Sequence, residues 1–346
     1  MSLLSLLLPG GMALLASLAF SGVASLSGPR DAPHSRASHS RATATAGGLG
    51  VVAALGAACL LPGAPPAPRE TAMLLAVLLG AGVLGLCDDL APLRARSKFG
   101  ALLVLCGAAT WTLGPVRELP LSPAVWGVEA LVLPLWLGAA GTVLWLFVVV
   151  NAVNFMDGVN GMLAGVGTAL MIVFAGLASA LGANGAVLLA VATAGALLGL
   201  MPYNFRTRAR LFAGDTGALV VGLLLGLVPL MIARTAPDAL YVGPLLLLPF
   251  LADVFATLVR RARARANLLS PHREHLYQFA ARRIGHIPTV SLYMAALAPL
   301  TLWVLVALHG GWADSLLALL GLAAATGAAS ARLSRHLDLQ ERRSTT

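Results

Sequence analysis

The chain has 346 residues, 58% of them hydrophobic and only 11% charged, with a formal net charge of +9. An ordinary soluble domain carries roughly 25% charged residues, so a deficit spread along the whole chain excludes a water-soluble globular protein and leaves lipid as the solvent. Basicity in a soluble protein would suggest nucleic acid; in a lipid-embedded chain it reads as Arg-rich loops held on the cytosolic side, and no nucleic-acid partner is expected.

A membrane-crossing helix takes about 20 apolar residues. Eleven runs are predicted to cross: 3–26, 47–62, 71–87, 100–114, 131–152, 159–181, 184–203, 215–233, 239–259, 288–308 and 312–333. The first run has no basic residue ahead of it, as a signal peptide would, and Arg30, Arg36 and Arg41 follow it. It is read as a retained span with the N-terminus outside. Alternation from there puts 27–46, 88–99, 153–158, 204–214, 260–287 and the tail after Ala331 in the cytosol. Those segments hold every basic residue except Arg69, Arg117 and Arg234, the asymmetry expected of a correct orientation. The predicted fold is an all-α polytopic membrane protein: one transmembrane domain over 1–346, about eleven helices, a cytosolic C-terminus, and a basic cytosolic loop at 260–287. Cys59, Cys87 and Cys106 fall in or beside apolar runs without metal-ligand spacing and read as inert.

Four carboxylates from distant segments, Asp88, Asp89, Asp157 and Asp215, are delivered to the same cytosolic surface. Acidic residues do little for topology, so their meeting calls for another reason. Asp88 and Asp89 end the third span, where a helix C-terminus disfavours negative charge. They read either as a solvated helix end balanced by Arg94, Arg96 and Lys98 or as a pair that binds metal or takes a proton. In NAVNFMDGVNGM, residues 151–162, Asn151, Asn154 and Asp157 recur at i, i+3 and i+6 and would form one polar stripe on a helix end. Such a stripe faces protein or water, and its oxygens suit hard cations such as Mg²⁺. A tight turn is the plainer reading, but it would not require the two upstream Asn.

In PYNFRTRARLFAGDTG, residues 202–217, Asp215 opens the eighth span behind Gly214. It reads as a simple N-cap or as part of an anion and metal site, with Asn204, Phe212 and three Arg nearby. In SPHREHLYQ, residues 270–278, His272, Arg273 and His275 suit phosphate contact better than zinc, which needs more ligands; lipid headgroups are the alternative. The early stretch 31–50, with Arg36, His39, Gly47 and Gly48, reads as a structured loop. Asp253 is expected either to line the cleft or to pair with a cytosolic Arg.

Together, and in this order, these motifs resemble the polyprenyl-phosphate N-acetylhexosamine-1-phosphate transferase family over about 31–278. The resemblance implies that Asp88 and Asp89 engage a prenyl phosphate and that Asn154 and Asp215 hold Mg²⁺, with Mn²⁺ as an alternative. Asp157 would serve the same catalytic cluster. Phe212 would lie against uracil, and Asn151, Asn204, His272, Arg273 and His275 would bind substrate. The implied partners are a UDP-N-acetylhexosamine donor, a polyprenyl phosphate acceptor such as undecaprenyl phosphate, membrane lipids, and a second copy of the chain. The implied place is the bacterial cytoplasmic membrane, with the site on its cytosolic face.

The chain departs from the family pattern at Asn160, where members often carry Asp, and in the early loop, which reads Ala-Thr-Ala-Thr-Ala-Gly-Gly over 42–48. It lacks the run of adjacent His usual in the muramoyl-pentapeptide branch, which stands as the alternative to the polysaccharide-starter branch. A transporter is the rival from another class. It would place its ionisable groups near the midplane, often within inverted repeats; here no repeat is evident and the acidic groups sit at one surface, with Asp253, roughly two turns inside the ninth span, as the exception.

Overall fold

The computed structural model describes residues 3–31, 42–59, 69–125, 128–268, 270, 272–310, 319–329 and 332. The molecule is helical. Helices α1 (Leu3–Ser27), α2 (Gly47–Cys59), α3 (Arg69–Leu90), α4 (Ala95–Leu113) and α5 (Leu135–Met156) lead into a π-helical turn at Met162–Val166 and then α6 (Gly167–Ala180). They are followed by α7 (Asn184–Asn204), α8 (Gly214–Thr235), a 3₁₀ turn, α9 (Val242–Leu246), α10 (Leu248–Arg263), α11 (Leu276–Ile284) and α12 (His286–Gly310). Among the described residues, seven helices are long and apolar enough to cross a membrane, or eight if one bent pair counts as a span. The chain is a multi-pass membrane protein.

The eleven predicted spans are therefore not all found. Runs 47–62 and 312–333 appear as shorter apolar helices, and part of each lies outside the described residues, as do Arg36 and His39. The ninth run is broken: Pro237–Leu246 and Leu248–Arg263 meet at 60°. Pro249, in the first turn of α10, has no amide hydrogen to continue a helix across that junction. The start of the fifth run is a strand instead. Residues Glu118–Val125 (β3) pair antiparallel with Val128–Val132 (β4), and α5 begins only after Pro134. A two-residue antiparallel pair, Arg30–Asp31 with Thr43–Ala44 (β1 and β2), bounds the early loop.

Helix α8 is the axis of the bundle. It is buried along nearly its whole length, flanked by α3 on one side and α5 on another, with α2 and α7 also against it. In lipid such packing rests on close van der Waals fit and small residues. Gly85 of α3 shows how close: a Cβ there would lie 2.5 Å from the Thr216 backbone. That approach brings the last turn of α3 onto the first turn of α8.

Candidate active site

The predicted loop 153–158 is mostly helix, since α5 continues to Met156 and Asp157 is its C-cap. Asn151 stays helical because its amide bonds back to the Phe147 carbonyl at 2.7 Å. Asn154, one turn on, points its amide at Asp215 Oδ1, 2.5 Å away. Gly161, with φ of +87°, then turns the chain into the π-helical segment, a conformation that favours glycine.

Asp88 and Asp89 are adjacent in sequence but face different partners. Both oxygens of Asp89 are taken by the start of α8, accepting the amides of Asp215 at 2.8 Å and Thr216 at 3.0 Å and the Thr216 hydroxyl at 2.7 Å. Asp89 is an N-cap supplied by another helix, satisfying amides that a helix start leaves open. Gly214, with φ of +68°, makes room for it: a Cβ there would meet Asp89 Oδ2 at 2.6 Å. Asp88 instead accepts the Leu93 amide at 2.6 Å and the Lys98 ammonium at 2.7 Å. Lys98 also reaches Asp215 Oδ2 at 2.9 Å. The only lysine in the chain thus sits between two carboxylates from helices α3 and α8, and Asn154 closes the cluster.

These residues open on a cavity of about 780 Å³. Asp88, Asp89, Asn154, Asp157, Asn204, Phe212, Asp215 and Arg273 all line it. Asn151, His272 and His275 do not line it. Residues not singled out from the sequence for this site, Arg30, Thr45, Gln278, Arg282 and His286, complete the wall. The early loop is structured as expected: the Phe212 amide donates to the Ala44 carbonyl at 2.7 Å, and Gly47 and Gly48 donate to the carbonyls of Phe212 and Ala213 at 2.9 and 2.8 Å.

Asp157 lies between the spans. Burial first, and then the charges of Asp215 and Asp89, push its carboxyl well above the usual range. Asp253 does not line the cavity, and among the described residues it pairs with no Arg, contrary to both expectations. It is buried and accepts the amides of Leu276 and Tyr277 at 2.8 and 3.0 Å and the Tyr293 hydroxyl at 2.7 Å, with His275 Nδ1 at 3.5 Å. Asp253 therefore caps α11 as Asp89 caps α8. Arg260 and Arg261 of α10 turn instead to the late loop. Arg261 bonds Glu274 Oε1 at 2.5 Å and the Asn267 carbonyl at 2.8 Å, and Arg260 bonds the Glu274 carbonyl. His275 stacks between Phe155 and Tyr277, behind the wall that Arg273, Gln278 and Arg282 form.

The family model of glycosyl transferase family 4 matches residues 71–233, the stretch from Asp88 through Asp215. The decaprenyl-phosphate N-acetylglucosaminephosphotransferase of Mycolicibacterium smegmatis is 32% identical over 282 residues, covering 73% of this chain and 68% of the relative. The chain belongs to glycosyl transferase family 4. A Bacillus subtilis protein named probable undecaprenyl-phosphate N-acetylglucosaminyl 1-phosphate transferase is 27% identical over 253 residues, 72% of this chain and 69% of that one. The phospho-N-acetylmuramoyl-pentapeptide-transferase of Moorella thermoacetica is 32% identical over 182 residues, but these are 49% of this chain and 55% of that one. The glycosyl transferase family 4 match stops before α10; Arg282 and His286, which no sequence motif singled out, are brought to the site by the fold.

Proposed function

We propose that this transferase moves an N-acetylhexosamine 1-phosphate from a UDP-sugar onto a polyprenyl phosphate such as undecaprenyl phosphate, releasing UMP, and so starts a lipid-linked cell-surface glycan. The observation that carries the reading is the meeting of Asp88, Asn154, Asp157 and Asp215 with Phe212, Arg273 and Arg282 around one cavity, with Lys98 paired to both Asp88 and Asp215. It combines carboxylates and cations for phosphates with an aromatic face for a base. The names of the relatives with the longer matches support the polyprenyl-phosphate acceptor and the N-acetylglucosamine donor class. The muramoyl-pentapeptide relatives match over about half of the chain.

The reaction is phosphoryl transfer: an acceptor phosphate oxygen attacks the sugar-bearing phosphorus and UMP leaves, which puts the burden on positioning and charge neutralisation. The acceptor phosphate, with a second pKa near 6, is mostly dianionic at neutral pH, so Asp88 acts chiefly by orienting it through Lys98. Lys98, Arg273 and Arg282 offset phosphate charge. Asp157 lines the same cavity and serves the carboxylate cluster there. Asp89 keeps Asp215 and the α8 amides in place.

The donor set also fits Mg²⁺. Asp88 Oδ2 and Asp215 Oδ2 already converge on one cation, the Lys98 ammonium, at 2.7 and 2.9 Å. Mg²⁺ takes one or two carboxylates and completes its shell with water and substrate phosphates. Asp215 and Asn154 would hold it, and when bound it would neutralise charge on the donor pyrophosphate. Arg asymmetry, and the gathering of the carboxylates at one end of the bundle, support a cytosolic site in a bacterial inner membrane with the N-terminus outside. The test is incubation of the purified protein with labelled UDP-amino sugars and undecaprenyl phosphate, with the lipid product identified by mass. A sugar-phosphate-bearing lipid and free UMP are expected; no lipid product from any donor would reject the reading.

A further inference from the structure

One side chain of the cavity wall belongs to no motif singled out in the sequence. His286 opens α12, lines the cavity, and accepts the backbone amide of Asn160 on Nδ1 at 3.0 Å. That bond decides the tautomer. A neutral imidazole that accepts on Nδ1 carries its proton on Nε2. Nε2 bonds no partner among the described residues, so the ring offers the cavity one fixed donor.

Its place relative to Phe212 follows from Asn204. The buried Asn204 amide accepts the Gly161 amide at 2.9 Å and donates to the Leu211 carbonyl at 3.0 Å. The Asn160–Gly161 turn and the Leu211–Phe212 segment are thus both bonded to one side chain. Asn160 cannot offer its own amide group to a ligand in this arrangement, since its Nδ2 is bonded to the carbonyls of Arg206 and Thr207 at 3.1 and 3.2 Å. The donor left on this turn is then the imidazole held on the Asn160 backbone, and it lines the same cavity as Phe212.

Resting on the proposed donor class, we infer that His286 is a binding residue of the nucleotide subsite, donating Nε2–H to an acceptor oxygen of uridine. A half-buried donor held in place discriminates between ligands, because one without the matching acceptor leaves it unpaired.

Two substitutions separate this role from support of the turn. In His286→Asn the side-chain oxygen replaces Nδ1 and keeps the Asn160 bond, while the reaching donor is lost. In His286→Gln the terminal amide replaces Nε2 and keeps that donor. UDP binding to the full-length protein in detergent, measured by calorimetry beside thermal unfolding, is the experiment. UDP affinity should fall roughly three- to tenfold in His286→Asn, the range of one neutral hydrogen bond, at an unchanged Tm, and should stay within about twofold of wild type in His286→Gln. Wild-type affinity in His286→Asn, or an equal loss in His286→Gln, overturns the inference while leaving the donor class intact. Failure of the unmodified protein to bind UDP overturns both.

Discussion

Asp89 Oδ2 accepts both the amide and the hydroxyl of Thr216, at 3.0 and 2.7 Å, so the last carboxylate of α3 caps the first turn of α8. Its neighbour Asp88 shares none of these bonds and is held by Lys98 and the Leu93 amide. Two adjacent, chemically identical residues are thereby given separate tasks.

The first prediction follows from that division. Asp89→Ala should cost about 1–2 kcal/mol of stability, the scale of a lost helix cap, read as a lower Tm in detergent. Asp88→Asn should leave Tm nearly unchanged and lower kcat on the order of a hundredfold or more, with UDP-sugar binding spared. A Tm loss in Asp88→Asn equal to that of Asp89→Ala, with kcat retained, would show the tasks to be reversed.

Metal removal tests the carboxylate cluster. Turnover is expected to vanish in EDTA and to return with added Mg²⁺. Asp215→Asn should lose most activity while still folding, because its backbone amide, and not its carboxylate, meets Asp89. Full activity in EDTA would exclude the metal.

The aromatic wall predicts a loss in donor affinity. Phe212→Ala should weaken UDP-sugar binding by roughly tenfold to a hundredfold, the 1–3 kcal/mol of a base–aromatic stack, and its effect should appear in KM before kcat. Calorimetry against UDP-sugar decides it; unchanged affinity would move the base elsewhere in the cavity.

Acid should loosen the late loop. Burial, then the nearby His275 and Arg261 charges, hold His272 down to about 4. A group with a depressed folded pKa contributes stability above its unfolded pKa, near 6.5, and that contribution is lost as pH falls toward about 4. Tm should therefore decline between pH 7 and pH 4, and less so in His272→Gln. Parallel pH profiles for the two proteins would remove His272 as the cause.

Topology is checked by cysteine labelling. Glu118→Cys, on the exposed hairpin, and Arg265→Cys, in the exposed turn after α10, should label from opposite sides of the membrane. Labelling from one side would break the orientation read from the arginines.

The sequence by itself determined the solvent, the helical class and the meeting of the polar motifs. Lipid leaves so little freedom in composition that, in a chain with 11% charge, the polar residues at Asp88–Asp89, Asn151–Asp157 and Gly214–Asp215 mark the site at the ends of apolar runs. It did not determine the span count, because apolar runs such as 239–259 and 131–152 are equally apolar whether straight, bent at Pro249 or begun as a strand. Nor did it separate Asp88 from Asp89, place His275 behind the wall, or bring His286 into it. Those outcomes depend on which hydrogen-bonding groups are left open where two helix ends meet. The amides of α8 and α11 each needed a carboxylate, and only the packing of α3 on α8 and of α10 on α11 decided that Asp89 and Asp253 would supply them.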